Sequence, residues 1–266
     1  MIKYVQRYIR RNKRKWPFVS GDVKIVRFFH QDQPIFMGLK HKGDPVQRTH
    51  KNGSFSSLAH LDILHHFISN TGTFIDVGAN VGNHAIFAAK FLNFDRVVVF
   101  EPNPEVIDLL CLNLMLNHVT DIVDCSKLGV GVSDEDAEGL SMQRQKRVIA
   151  ASKLLDEGGD IKAFTGDSLL ADETPDLIKI DVEGMEMRVL KGLRETIAKH
   201  QPTILIEINN DSDKEFLDWI AENDYKIVHR YRSFRDHTDN IAVHSSKTEL
   251  IDKLAEADFV LLEELS

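Results

Sequence analysis

The 266-residue sequence has only two cysteines, Cys111 and Cys125, and no long apolar run. Two cysteines cannot build a disulfide framework or a four-thiolate zinc site. A membrane-spanning helix needs roughly 20 apolar residues, so no transmembrane span is predicted. The basic amino terminus is not followed by the apolar segment of a signal peptide. We therefore expect a protein of a reducing, cytoplasmic compartment.

Basic side chains are in the minority, with 33 Lys and Arg against 41 Asp and Glu, a net charge of −8. Residues 1–15 hold seven of the cations and no acid, so the rest has 26 basic and 41 acidic side chains, or −15. Phosphate neutralisation dominates nucleic-acid affinity, so this acidic body argues against a nucleic-acid partner. Residues 1–15 would be either a solvated terminus or a weak amphipathic contact that holds the protein at the inner face of a membrane.

Short apolar segments alternate with helical patterns along most of the chain. Strands are predicted at about 73–78, 96–101, 121–131, 177–181, 203–208, 225–229 and 240–244. Helices are predicted at about 57–69, 82–92, 104–117, 186–199, 213–223 and 248–264. This alternation is typical of an α/β fold with a mostly parallel sheet that helices cover on both faces.

Two regions fall outside this regular pattern. Residues 1–54 form a basic tail followed by an irregular or β-rich segment, which we expect on the substrate side. The α/β domain then occupies residues 55–266, with a polar, glycine-containing insertion at about 133–165. The pattern predicts no structure for the insertion.

The clearest chemical signal is the turn after the first predicted strand of this domain. Gly78 and Gly82 flank the turn, Asp76 precedes it, and Asn80 stands where a dinucleotide-binding turn has its second glycine. An acid there would repel a pyrophosphate but would suit an ammonium or sulfonium group. Glu101 ends the next strand, where a carboxylate can accept both ribose hydroxyls. The combination favours S-adenosylmethionine over a nicotinamide dinucleotide.

Four stretches of the sequence resemble the FkbM family of S-adenosylmethionine-dependent methyltransferases. They are residues 74–82 (FIDVGANVG), 100–104 (FEPNP), 176–184 (DLIKIDVEG) and 190–192 (LKG). The resemblance extends over about residues 55–245, and the run KIDVEG is its most specific element. It implies a class I, Rossmann-like methyltransferase fold with a seven-stranded, mostly parallel sheet, and usually O-methylation of a sugar or other small-molecule hydroxyl.

The resemblance also implies which residues bind the cofactor. Asp76, Gly78, Asn80 and Gly82 would line the methionine side, and Glu101 would hold the ribose. Asp167, within the run TGDSL, resembles an acid of the family whose role is less defined. The remaining cofactor-binding candidates are Asn83, Asn103 and Asp181. No metal site is expected.

A sugar hydroxyl is a poor nucleophile, so a general base should assist methyl transfer to it. The candidates follow the later strands and are Asp181, Glu183, Glu207 and His229. Glu183 would alternatively cap the following helix, since acids favour helix N-termini. Glu207 would alternatively anchor a loop, and His229 would alternatively pack in the interior.

The expected function is S-adenosylmethionine-dependent O-methylation of a sugar, a glycan precursor or another small molecule, with S-adenosylhomocysteine as the product. A protein methyltransferase and a non-catalytic nucleotide-binding module are the alternatives. The sequence names neither the acceptor nor the oligomeric state.

Overall fold

The computed structural model describes residues 23–41, 43–67, 72–143, 153–155, 157–232 and 236–254. The strands are β1 (Lys24–His30), β2 (Gln33–Leu39), β3 (Thr73–Val77), β4 (Arg96–Phe100), β5 (Val123–Asp124), β6 (Val130–Ser133), β7 (Ala137–Gln143), β8 (Lys153–Leu155), β9 (Ile161–Thr165), β10 (Pro175–Ile180), β11 (Thr203–Asn209), β12 (Tyr225–Tyr231) and β13 (His237–His244). The helices are α1 (Pro45–Lys51), α2 (Leu58–Phe67), α3 (Asn83–Phe91), α4 (Pro104–Leu116), α5 (Gly166–Leu169), α6 (Glu186–Gly192), α7 (Arg194–His200) and α8 (Asp213–Glu222), and residues 248–254 are also helical.

The largest sheet of the described residues runs in the order β12-β13-β11-β10-β3-β4-β5. The neighbours from β11 to β5 are parallel, while β13 is antiparallel to both β11 and β12. Helices follow β3, β4, β10 and β11 and return the chain to the start of the next strand. The predicted α/β class is confirmed.

Helices cover both faces of this sheet, because the central strands direct apolar side chains to each face. In β3, Phe74 packs into one core cluster with Phe87 of α3, while Ile75 packs into another with Val189 of α6. Every residue of β3 is buried. Successive side chains of a strand point to opposite faces, so a continuous apolar run indicates burial on both.

The β1–β2 hairpin shares the core of the α/β body. Met37 is fully buried in the same cluster as Phe87. Asn113 of α4 and Asn117, which caps the end of α4, form hydrogen bonds with the backbone of β2. The Asn113 Oδ1 accepts a hydrogen bond from the Gly38 N–H at 2.7 Å, and Asn117 exchanges two hydrogen bonds with the backbone of Phe36. Buried backbone groups need such partners, so these amides fix the hairpin on the body.

The predicted strand at 121–131 is wrong as a single element. Only Val123–Asp124 joins the large sheet, and Val130–Ser133 belongs to a four-stranded sheet in the order β6-β9-β7-β8. Gly129 separates them, because its φ of +84° ends the extended chain and its N–H donates to the Glu101 carbonyl at 2.9 Å. The four-stranded sheet also holds the described part of the 133–165 insertion, for which no structure was predicted.

The remaining elements differ from the predictions mainly in their limits. The predicted helix at 186–199 is divided into α6 and α7, which meet at Leu193. The predicted final helix is described as far as residue 254, and its remainder lies outside the described residues, as do residues 1–22. No helix within the described ranges is both long and apolar enough to cross a membrane.

A glycine is required at position 78, where the loop after β3 passes close to the end of β10. Its φ is +82°, and a Cβ atom here would lie 1.9 Å from the carbonyl oxygen of Asp181. Gly129 has nearly the same φ, but a Cβ there would meet nothing within 4 Å. A comparison of substitutions at Gly78 and Gly129 therefore separates the energetic cost of backbone strain from that of steric overlap.

We expect Gly129→Ala to lower the free energy of unfolding by about 1–2 kcal/mol, the usual cost of a left-handed L-residue. Gly78→Ala should cost about 1–3 kcal/mol more, because the new methyl group overlaps backbone that cannot rotate away. Urea unfolding of both variants measures the difference. If both variants lose the same free energy of unfolding, the close approach of residue 78 to Asp181 does not contribute to stability.

Candidate functional site

A cavity of about 370 Å³ opens at the carboxyl ends of β3, β4, β10 and β11. This volume lies within the range of small-molecule sites, roughly 300–1,000 Å³. The loops after these strands line it with polar groups, and the small sheet contributes an apolar wall that includes Met142 and Leu154. The cavity is where an open α/β sheet usually binds its ligands.

Glu101 presents a buried carboxylate to this cavity. One of its oxygens accepts a hydrogen bond from the Asn80 N–H and the other from the Asn103 N–H, both at 2.8 Å. The residue is only 6 % exposed, and burial raises the pKa of Glu101 to about 7 against the effect of these two N–H donors. Asn103 also caps α4, as its Oδ1 accepts from the Glu105 N–H at 3.0 Å.

The loop between β3 and α3 carries the other predicted cofactor contacts. The N–H groups of Gly78 and Ala79 both donate to the carbonyl of Phe100 at 3.0 Å, which joins this loop to the end of β4. Asn80 has a φ of +48°, a conformation that asparagine tolerates better than most residues. Its Oδ1 is buried and has no hydrogen-bond partner among the described residues. Gly82 begins α3 at a φ of +88°.

A buried lysine that the sequence reasoning missed lies directly beneath this loop. Lys179 of β10 places its Nζ 3.3 Å from Asp76, 3.5 Å from Asp181 and 2.6 Å from the Gly78 carbonyl oxygen. The Lys179 side chain is 4 % exposed, and that of Asp76 is fully buried. The sequence does contain a signal for Lys179. It is the single cation within the apolar run LIKI, and a charge in a buried strand needs a partner.

Burial acts in opposite directions on the pKa values of Lys179 and Asp76. Burial lowers the pKa of Lys179, but the Asp76 and Asp181 carboxylates outweigh it and leave that pKa above its usual value. Burial raises the pKa of Asp76, although Lys179 acts in the opposite direction. The lysine is therefore charged at neutral pH and compensates the acids around it.

Acidic side chains gather at the other end of the cavity, after β10 and β11. Asp181, Glu183 and Glu207 all line it. Burial raises the pKa of Glu207 to about 9, and the nearby carboxylates of Asp181, Asp239, Glu183 and Glu186 add to the effect. Glu207 is therefore largely protonated at neutral pH.

Glu186, which the sequence predictions did not include, forms a hydrogen bond with the turn after β10 at this end of the cavity. Its Oε1 accepts a hydrogen bond from the Gly184 N–H at 2.8 Å. Glu183 itself has a φ of +57° and lies at the cavity wall.

Asn83 lines the cavity, but its amide joins the loop to the amino-terminal segment. Its Oδ1 accepts from the Ser56 N–H at 2.9 Å and lies 2.9 Å from the His50 Nε2, while its Nδ2 donates to the Ser56 carbonyl. The neighbouring His84 also lines the cavity, and burial lowers the pKa of His84 well below its usual value. Its imidazole is neutral at physiological pH.

Four predicted site residues do not line the cavity, namely Asp76, Gly82, Asp167 and His229. Asp76 lies beneath the loop beside Lys179, and Gly82 begins α3. Asp167 accepts hydrogen bonds from the N–H groups of Glu195 and Thr196, at 3.0 and 2.8 Å, and so caps α7. His229 packs against the ring of His60 at a centroid distance of 5.5 Å. Neither belongs to the cavity wall. Asp167 was a candidate because the run TGDSL resembles the family, and His229 because it lies near a strand end, which does not determine where its side chain points.

We expect Lys179→Met to lower the free energy of unfolding by about 3–5 kcal/mol, because it leaves the Asp76 carboxylate buried without its cation. The double variant D76N/K179M should regain part of this loss, since the buried charge is removed as well. Thermal and urea unfolding of the single and double variants test this. If the double variant is less stable than K179M, the two side chains do not form a compensating pair.

Comparisons with known proteins agree with this architecture. Residues 76–227 match the Methyltransferase FkbM domain. The hexuronic acid methyltransferase AglP of Haloferax volcanii is 32 % identical over 145 residues, which are 52 % of this chain and 56 % of that protein. The methyltransferase sdnD of Sordaria araneosa is 26 % identical over 157 residues, 46 % of this chain and 60 % of that one.

Among solved structures, a methyltransferase FkbM from Methylobacillus flagellatus aligns with 64 % of this chain and 43 % of its own, at 22 % identity and a TM-score of 0.47. The alignments with the two curated relatives span little more than half of each relative's length. The family match itself covers more than half of this chain and includes the glycine loop, Glu101 and the KIDVEG run. The resemblance noted in the sequence is confirmed, and the chain belongs to the FkbM methyltransferase family.

Proposed function

We propose that the protein transfers a methyl group from S-adenosylmethionine to a hydroxyl group of a sugar or a sugar-containing small molecule. The observation that carries the proposal is the buried Glu101 carboxylate beside the glycine loop of an FkbM-family cavity. The name of the relative AglP, a hexuronic acid methyltransferase, supports a sugar as the acceptor class.

The residues present fit this cofactor. Each Glu101 oxygen accepts one backbone N–H and keeps capacity for a ribose hydroxyl, because a carboxylate oxygen accepts more than one hydrogen bond. Gly78 and Ala79 line the cavity with little or no side chain, so a ligand can approach the backbone there. The unpartnered Asn80 Oδ1 is available to a donor of the ligand. Met142 and Leu154 offer the apolar surface that an adenine ring requires.

S-adenosylmethionine, when bound, supplies an electrophilic methyl group on a cationic sulfur. The acidic end of the cavity suits that charge, since Asp181 and Glu183 lie there together. The protein must also align the acceptor oxygen and exclude water from the reaction. Pro45 and Val46 of α1 form part of the wall. We therefore propose that this part of residues 1–54 helps to enclose the acceptor.

We assign the general-base role to Glu207. The raised pKa of Glu207, about 9, makes its ionised form a stronger base than an ordinary carboxylate, although that form is the minority at neutral pH. Glu207 takes the hydroxyl proton, while Asp181, held 3.5 Å from the Lys179 ammonium, orients the acceptor. His229 and Asp167 have no part in this proposal because they lie away from the cavity wall.

Binding of S-adenosylhomocysteine should weaken as pH falls below about 7, because the ribose hydroxyls donate to the ionised form of Glu101, whose pKa is about 7. The dissociation constant should rise by up to about tenfold per pH unit and then level off. Glu101→Gln should bind on the order of tenfold to a hundredfold more weakly and lose this pH dependence. Calorimetry from pH 5.5 to 8.5 measures both effects.

The matched control is Glu195→Gln, which removes a carboxylate that is 79 % exposed on α7, away from the cavity. It should bind as the wild type does at every pH. A Glu101→Gln variant with unchanged affinity would contradict the assignment of Glu101 to the ribose. No binding by the wild type at any pH would contradict the choice of cofactor.

Purified protein should release S-adenosylhomocysteine when it is supplied with S-adenosylmethionine and a pool of sugar nucleotides and glycan precursors. The rate should rise from pH 7 towards 9, because Glu207 must lose its proton before it can accept one from the acceptor. Glu207→Gln should slow turnover on the order of 10²–10⁴-fold and flatten this profile. Nuclear magnetic resonance of the product shows whether the methyl group is on oxygen. A fully active Glu207→Gln variant would rule out Glu207 as the base.

A further inference from the structure

The outer face of the β1–β2 hairpin, residues 24–39, exposes apolar side chains that the cavity does not use. Ile25 is 49 % exposed and Phe29 is 60 % exposed. They are two of the five large hydrophobic side chains exposed in the described part of the chain. Alternate residues of a strand share one face, so Ile25 and Phe29 lie on the same side of β1. Apolar groups gathered on one face mark an interaction surface more strongly than scattered ones do.

The opposite face of the hairpin is occupied. Phe28 is 6 % exposed and meets the ring of Phe55 edge-on at a centroid distance of 5.3 Å. On the outer face, Phe29 pairs across the strands with Pro34, which is also exposed. The hairpin is thus fixed to the body through one face and presents the other to its surroundings.

Positive charge accompanies this apolar face. The Arg27 guanidinium lies 5.3 Å from the centre of the Phe29 ring, and Lys24 is exposed on the same strand. Asp32, at the hairpin turn, is the single acid between residues 24 and 39 of the sequence. The preceding residues 1–15 contain seven cations and no acid, in contrast to the net charge of −15 in the rest of the chain.

We infer that the outer hairpin face docks on the anionic surface of a lipid bilayer. Phe29 and Ile25 enter the interfacial region, Arg27 of the same face lies against the lipid phosphates, and Lys24 at the start of β1 adds to the local positive charge. Apolar anchors together with basic residues are the combination that holds peripheral proteins at such a surface. A strongly acidic body keeps the remainder of the protein away from the same phosphates. This surface is distinct from the cavity and does not depend on the identity of the methyl acceptor.

The test is co-sedimentation of the full chain with vesicles of phosphatidylglycerol and phosphatidylcholine, with pure phosphatidylcholine vesicles as the comparison. The wild type should bind the anionic vesicles and bind the neutral ones much less, and added salt should weaken the binding. The I25S/F29S variant should lower the partition coefficient on the order of tenfold or more. K24Q/R27Q should lower it on the order of tenfold, because it removes the Arg27 cation from this face and the Lys24 cation from the start of the same strand.

The control is Leu217→Ser on α8, where a leucine that is 41 % exposed lies outside this face. It should bind vesicles as the wild type does, and the unfolding midpoints of all variants should confirm that they are folded. Equal binding by I25S/F29S and the wild type would overturn the inference, and so would equal binding to neutral and anionic vesicles. A dimer seen by sedimentation velocity without lipid, and lost in I25S/F29S, would assign the face to a second copy of the chain instead.

Discussion

The buried ammonium group of Lys179 is the interaction on which the geometry of the site depends. It lies in a central strand, opposite Asp76 of β3 in the parallel register, where neither side chain reaches water. Taking a lysine out of water costs several kcal/mol, which carboxylates and carbonyl groups must offset. One of those acceptors is the Gly78 carbonyl. The ion cluster therefore fixes the glycine loop as well as the two strands, and the ligand-binding backbone is placed by a charge beneath it.

The cavity above this cluster carries more negative than positive groups. Glu101 and Glu207 both have raised pKa values because they are buried near other acids or away from water. Such a site costs free energy when it is empty and fully ionised, and a bound cation relieves part of that cost. The same electrostatic imbalance that makes the carboxylates hold their protons thus favours a cationic cofactor. Backbone N–H groups bind both oxygens of Glu101 and hold its carboxylate in place.

Buried amide side chains join the amino-terminal segment to the α/β body. Asn83 binds Ser56 and lies within hydrogen-bonding distance of His50, while Asn113 and Asn117 bind the backbone of β2. Asn113 also donates to the Val81 carbonyl at 2.8 Å, within the loop that precedes α3. The segment that lines one side of the cavity is therefore connected to the cofactor side by hydrogen bonds. A movement of either part has to strain or break them.

The sequence by itself determined the strand–helix alternation, the glycine loop and the acid at the end of β4, because each is a local pattern of apolar spacing or backbone requirement. Asp181, Glu183 and Glu207, which the sequence offered as candidates, all line the cavity, since the carboxyl ends of neighbouring parallel strands meet at one edge of a sheet. Only the tertiary structure decided that Lys179 is the counterion of Asp76, that Asp167 caps α7 and that His229 packs on His60. These roles depend on contacts between residues far apart in the chain and on the direction of each side chain, which local spacing does not encode.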